Sequence, residues 1–358
     1  MTEADWAERA LAEVIDRVAV TRAEVGDRFP LFAAPDTGRW TTTGRGAWTG
    51  GFWAGLLWLR ALHTGDEVDR AAASACTARL AGWVEADTAA RGLIHWYGTA
   101  LAVGDAGAEG LRERAARACL TALDPELGLV PWGSAFGGPR LVARVDAVPG
   151  MVPLLATAGR EGAQAAASHL HRHLDLCHAD GLPVPALRFE AATGWQPCDD
   201  PAPGWSRGRA WLLLAVADAL HRPSAAGARA ARLEAVAAQL AAARGRTAGQ
   251  LVPVADEARP DGPLDTSAAA ITAVALLKLA AIPGPRSAEY AHRAVAILSR
   301  LATGHLSGDG GARPMGMLLD GCYDARRGIA PRHELVWGDF FLALGLACLT
   351  GTVDVRAV

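Results

Sequence analysis

The chain has 358 residues, of which 51% are hydrophobic and 20% charged, with a formal net charge of −3. That balance gives no electrostatic reason to bind nucleic acid or an acidic membrane, and a chain this long buries a core without disulfide or metal support. One count stands out: 12 Trp against 3 Tyr and 7 Phe, rings whose flat faces suit sugars and other ring-shaped ligands.

The N-terminal residues carry acids early, with no basic stretch leading into an apolar run, so no secretory signal is visible. Helical periodicity predicts twelve helices, at 3–25, 46–63, 66–85, 92–103, 106–124, 144–158, 160–177, 205–221, 225–244, 264–281, 286–303 and 334–350. Short Gly, Pro, Asp or Ser breaks join them in pairs, as at Thr64-Gly65-Asp66 and Gly104-Asp105. A glycine ending one helix and an Asp or Ser capping the next is the chemistry of a tight αα turn. One set of stretches is amphipathic. The other, including 51–62, 211–220, 268–277 and 340–349, is apolar all round, which marks helices buried on every side. Six buried helices inside six outer ones predict an all-α fold, an (α/α)6 barrel, over a single domain, 1–358. The longest apolar run, Phe340 to Leu349, is too short to span a bilayer. Six scattered cysteines without a CxxC pair read as reduced core thiols. The expectation is a cytoplasmic protein that binds neither nucleic acid nor membrane; its oligomeric state is not readable.

The polar and aromatic residues gather where the buried helices begin: Trp48, Asp87, Arg144-Val145-Asp146, Trp205-Ser206-Arg207-Gly208-Arg209-Ala210-Trp211, Asp265-Thr266-Ser267 and Glu334 to Asp339. In a toroid these starts open on one face, rimmed by the long connections, where a pocket is expected. An Asp at a helix start also reads as an N-cap, and Asp265 fits that reading especially well. Asp339 reads as a buried hydrogen-bonding group. His169, His171, His173 and His178 lie two apart or more on a helix and read as surface histidines, not as a metal site. No nucleotide-binding or serine-hydrolase motif is present, and no cofactor or metal is expected.

Gly51-Phe52-Trp53-Ala54-Gly55-Leu56-Leu57-Trp58-Leu59, with Thr64-Gly65-Asp66, resembles the first inner helix of the unsaturated glucuronyl hydrolases, family 88 of the glycoside hydrolases. Trp205 to Trp211 resembles that family's W-x-R-G-Q-x-W signature, and Asp265-Thr266-Ser267 and Trp337-Gly338-Asp339 its later landmarks. The resemblance covers roughly residues 35–350 and implies an (α/α)6 barrel. It also implies two aspartates. One belongs to an H-D-x-G-F segment and falls on Asp87 by ungapped counting from Gly104-Asp105. The other opens an inner helix and falls on Asp146. Asp146 is then the general acid/base and Asp87 its partner, with Trp48, Trp205, Arg207 and Trp211 as substrate-binding residues; Trp132 and Trp337 are weaker substrate-binding candidates, from their place at the inner-helix mouth and not from the resemblance. The implied reaction is hydration of the C4=C5 enol ether of an unsaturated uronic acid glycoside. Its partner is a small carbohydrate or a glycosylated natural product.

Several family positions differ. The His before the first Asp is Ala86; a second His falls near Pro185, after Asp180-Gly181; the H-Q-G segment is replaced by Trp195-Gln196-Pro197-Cys198; a further His appears as Asp320. These losses keep two alternatives open. One is a carbon–oxygen lyase, dehydratase or cyclase, in sugar or secondary metabolism, using the same acids. The other is a non-catalytic sugar-binding protein.

Overall fold

The structure, a computed structural model, describes residues 3–179, 184–226, 229–242, 250–308 and 313–358. Asp180-Gly181 lie outside them, as do parts of the connections 178–204, 245–263 and 304–333. The amphipathic stretches form α1 (Glu3–Val25), α3 (Glu67–Ala78), α5 (Ala106–Thr121), α7 (Gly159–Cys177), α10 (Ala230–Ala242) and α12 (Ser287–Gly304). The apolar stretches form α2 (Gly50–Thr64), α4 (Tyr97–Thr99), α6 (Met151–Ala156), α8 (Ser206–Leu220), α11 (Thr266–Ala280) and α13 (Val336–Leu349). A short α9 (Pro223–Ala226) precedes α10.

The inner set closes on itself. α2 packs on α4 and α6 on α8; α8 packs on α11, α11 on α13, and α13 returns to α2. The turn before α4 joins it to α6. The amphipathic helices pack outside this ring, for example α3 on α2, α7 on α6 and α12 on α11. The fold is an (α/α)6 barrel. Its centre is aromatic: Phe52 stacks on Tyr97 with ring centroids 5.1 Å apart, and Phe340 meets Phe341 edge-on at 5.1 Å. Asp66 and Asp105 cap α3 and α5, each accepting from a backbone N–H at 2.8 Å. Gly65 and Gly104 take the left-handed conformation that the tight turns require.

Two inner helices are less regular than their periodicity predicts. The 92–103 stretch opens as a π-helical turn, Gly92–Trp96, before α4. The 144–158 stretch holds a single 3-10 turn, Val145–Ala147, then breaks at Gly150 before α6. The break follows from contact. Gly150 has φ +69°, and an added Cβ on either Gly150 or Gly92 would land on the other segment's backbone. The two chains cross there as bare backbone, which a continuous helix does not allow.

Small sheets hold the rim. β1 (Phe29–Ala33) pairs antiparallel with β2 (Trp40–Thr43) and with Glu334–Leu335. β3 (Val142–Arg144), β4 (Ala186–Glu190) and β5 (Gly194–Pro197) form the second sheet. The chain thus enters the last inner helix from a strand, and the 144–158 stretch likewise. Among the described residues no helix is long and apolar enough to cross a membrane. All six cysteines are free, four of them buried.

Candidate active site

Asp146 lies in the 3-10 turn between β3 and α6, with its side chain 15% exposed. β3 delivers Arg144 beside it. The guanidinium donates from Nε and Nη2 to the two carboxylate oxygens at 2.9 and 3.0 Å. Its other side lies 4.6 Å over the Trp132 ring. Burial lowers the proton affinity of Arg144, but the charge and hydrogen bonds of Asp146, with a contribution from Asp200, raise it above the usual range. Below this pair lie neutral groups that feel the Asp146 charge. Burial pushes the Cys177 thiol up to about 12 and the His173 imidazole down to about 4.

The same rim carries the start of α8. Its Trp205 is half-buried, and Gly208 lets the Trp205 ring and Val145 approach α8 closely: a Cβ there would meet them at 2.8 and 3.1 Å. Trp205 forms one wall of a small cleft that Asp200, Asp256, Tyr323 and Arg326 also line. Tyr323 stacks on Trp48, with ring centroids 6.2 Å apart and planes 17° apart. Trp48 in turn packs on Trp337 at 4.8 Å. Asp146, Trp205 and Trp48 are therefore at the inner-helix starts where the sequence pattern puts them, and Trp132 lies in the connection before β3.

Four expectations need correction. Arg207 is 4% exposed and fully engaged. It donates to Asp265 at 2.5 Å and to the carbonyls of Cys322 and Tyr323 at 2.6 and 2.9 Å, between the rings of Trp205 and Trp337. Its position supports the rim, with both Nη atoms donating to protein groups. Trp211 and Trp337 are 1% and 0% exposed and pack within the aromatic core, so they brace other rings and offer no face of their own. The histidines His169, His171, His173 and His178 are buried, not on the surface: His169 and His173, one turn apart on α7, contact each other, His171 lies on another side of the helix beside Ala226, and His178 is the residue just past the helix end. Among the described residues no three metal-ligating side chains converge.

Asp87 is the fourth. Its carboxylate, 41% exposed, accepts from the Ser134 N–H and hydroxyl at 3.1 and 2.9 Å and from Arg140 at 3.1 Å. Burial opposes ionisation, but Ser134 and Arg140 hold its carboxyl below the usual carboxylate range. It borders a surface groove against Arg114 and Arg117 of the outer helix α5. No hydrogen bond joins it to Asp146. The glycine of the H-D-x-G-F segment also fits Gly92, where no Cβ is tolerated. That register sets Ala90, fully buried, in the place of the acid.

Asp265 and Asp339 behave as read. Asp265 caps α11, accepting from the N–H groups of Ser267 and Ala268. Asp339 is buried; burial first, then the Glu334 charge, raises its carboxyl well above the usual range against the pull of Arg17. Two rim residues went unassigned. Tyr323, one of only 3 Tyr, lay in a long connection with no periodicity to orient it. Arg144 stood in plain view beside Asp146, but strand geometry was needed to aim it.

No protein-family model matches the chain. A curated relative, the unsaturated glucuronyl hydrolase of Bacillus sp. (strain GL1), is 25% identical over 93% of this chain and 94% of its own length. Among solved structures, the Bacillus sp. GL1 unsaturated glucuronyl hydrolase matches with a TM-score of 0.82 at 23% identity, covering 96% of each chain. That of Streptococcus agalactiae matches with a TM-score of 0.81 at 17% identity, over 99% of this chain and 94% of that one. The chain is thus similar along nearly its whole length to an unsaturated glucuronyl hydrolase, and it shares the (α/α)6 barrel of the solved structures.

Proposed function

We propose that the chain, acting as one unit over 1–358, is a glycosidase that protonates and hydrates the C4=C5 enol ether of an unsaturated uronic acid glycoside. The observation that carries this reading is Asp146. It is a mostly buried carboxyl group in the turn that opens an inner helix, paired with Arg144, which stacks on Trp132, in a chain similar along 93% of its length to an unsaturated glucuronyl hydrolase. Solved relatives are described with dGlcA-Glc-Rha-Glc and with dGlcA-GalNAc6S, which supports a carbohydrate substrate.

In the reaction, the Asp146 carboxylic acid gives its proton to C4, and positive charge develops at C5 and the ring oxygen. Water adds at C5 and returns a proton to Asp146. The hemiketal then opens and releases the attached sugar or aglycone. One carboxyl group serves as acid and then as base. Trp205, Tyr323 and Trp48 supply the ring-stacking surfaces. Asp87 acts at a distance, holding the Ser134–Arg140 loop on which Trp132 is carried.

The separation of Asp87 from Asp146 favours a second reading, a lyase, dehydratase or cyclase that needs only one acid/base group. Loss of the conjugated enol-ether absorbance distinguishes the two. The hydratase reading expects wild-type protein to bleach it with an unsaturated uronide, and Asp146→Asn to lower the rate by about 10²–10⁴-fold with an unchanged helical spectrum. Full activity in Asp146→Asn overturns the assignment.

A further inference from the structure

We propose that Arg144 is the residue that reads the substrate's carboxylate, and that it does so by exchanging Asp146 for it. This rests on the reading of the site given above. Any substrate of that class carries a carboxylate on C5, next to the atoms that react, so the site needs a cation close to Asp146.

Among the arginines of this rim, the one beside Asp146 is best placed. Arg326, which lines the Trp205 cleft, donates to the Asp199 carbonyl at 2.5 Å, and Arg207 is 4% exposed, with Nη1 and Nη2 donating to Asp265, Cys322 and Tyr323. Arg140 is tied to Asp87, and Arg327 to Asp200 at the outer rim. Arg144 is 23% exposed and directly beside Asp146. Its Nη1 makes no hydrogen bond among the described residues, and Trp132 fixes the plane of its guanidinium. A stacked, planar fork is the geometry that binds a carboxylate in bidentate fashion.

That fork is now occupied by a carboxylate, that of Asp146. The substrate's carboxylate is an isosteric replacement. Once displaced, Asp146 has lost its counter-ion and faces a second carboxylate in a partly dry site. Two like charges so placed favour uptake of one proton from solvent. The exchange therefore loads the acid at the moment the substrate arrives. A neutral sugar, or the methyl ester of the same uronide, cannot displace Asp146, so Arg144 determines both specificity and the timing of protonation.

The test compares wild type, Arg144→Gln and Arg144→Lys on an unsaturated uronide as free acid and as methyl ester, following the enol-ether absorbance. Binding of the saturated glucuronide and its methyl ester is measured in parallel by calorimetry. The expected result is that Arg144→Gln weakens binding of the saturated acid by about 30- to 1,000-fold and erases the preference for acid over ester in both binding and kcat/KM. Arg144→Lys falls between. Equal losses on acid and ester overturn the proposal, since Arg144 then only positions Asp146. So does wild-type binding that ignores the charge. Charge-selective binding that depends on Arg144, without any turnover, upholds the carboxylate-reading role and instead removes the hydratase reading. Melting temperatures of both variants separate a folding defect from either outcome.

Discussion

Asp87 and Asp146 hold the same rim segment from different sides and do not touch each other. Asp87 grips Ser134 and Arg140, whereas Asp146 grips Arg144 ten residues further along than Ser134. Two carboxylates that share a reaction centre would each be indispensable. Here Asp87 borders a surface groove against the outer helix α5, and Asp146 does not line that groove. We therefore expect Asp87→Asn to reduce kcat/KM less than about tenfold, well short of the 10²–10⁴-fold of a proton-transfer group. Ser134→Ala should behave like Asp87→Asn, since both loosen one loop. Steady-state kinetics decide it: an Asp87→Asn loss as deep as that of Asp146→Asn would restore Asp87 to the chemistry.

The Arg207–Asp265 pair makes the opposite prediction. Both side chains are almost fully buried, at 4% and 0% exposure. Removing one leaves the other as an uncompensated buried charge, which costs about 3–5 kcal/mol. Arg207→Ala and Asp265→Ala should each lower the urea midpoint by that equivalent, and activity should be lost with folding. Were Arg207 a ligand-binding residue, the variant would instead keep its midpoint and show a raised KM.

Most of the barrel is visible in the sequence because it rests on periodicity. All-round apolar stretches such as Phe340 to Leu349 cannot be anything but enclosed, and Gly65 and Gly104 punctuate the pairs. The irregular inner segments are hidden because their shape comes from a tertiary crossing, Gly92 against Gly150, which no local pattern encodes. The site shows the same division. Asp146 is legible, as the first acid of an inner stretch. Asp87, Arg207 and Trp211 mislead, since a polar or aromatic residue near a helix start looks the same whether it faces a ligand, a loop or a buried partner. Pairing partners far apart in sequence, such as Asp265 with Arg207, decide which.

That backbone crossing is itself testable. Gly92→Ala or Gly150→Ala would put a methyl group into the opposing main chain, and Gly150 also needs its positive φ. Neither side of the contact is a flexible side chain that can yield. Overpacking of this kind costs at least about 1–3 kcal/mol, and here it should also displace the turn that holds Asp146. Gly137→Ala, at a positive φ in open space, controls for backbone strain alone. Thermal melts should rank Gly137→Ala well above the other two; equal melting would mean that the crossing carries no strain.

The buried histidines set an acid limit on stability. Burial is the main cause for each, holding His173 at about 4, His95 at about 3 and His169 well below its ordinary value. In the unfolded chain the same groups titrate near 6.5. The folded values are depressed, so the contribution is complete above about pH 6.5. It is lost as pH falls toward the folded values, because only the unfolded chain takes up the protons. Each such proton is worth about 1.4 kcal/mol per pH unit. Denaturant titrations at pH 7 and 5.5 should show the decline before carboxylates protonate. His173→Phe should reduce its slope by about one proton, and an unchanged slope would place the titrating group elsewhere.

The last prediction separates aromatic residues that meet a ligand from those that hold the barrel. Trp205 is half-buried and walls the cleft, opposite Tyr323, which is stacked on Trp48. Trp211, two turns into the same helix, is enclosed by Phe52 and Phe341. Truncating an enclosed ring removes its packing and leaves a cavity, at about 3–5 kcal/mol. Truncating a wall ring removes ligand contact area while most of its neighbours stay packed. Trp205→Ala and Tyr323→Ala should therefore raise KM for an unsaturated uronide by about tenfold or more, the equivalent of roughly 1.4 kcal/mol, with small shifts in melting temperature. Trp211→Ala should lower the melting temperature sharply, and the fraction that remains folded should keep a near-normal KM. The informative quantity is the ratio of KM change to stability change. A Trp211→Ala protein that melts normally but no longer saturates would move the ligand into the barrel's centre, past the rim where Trp205 and Tyr323 stand.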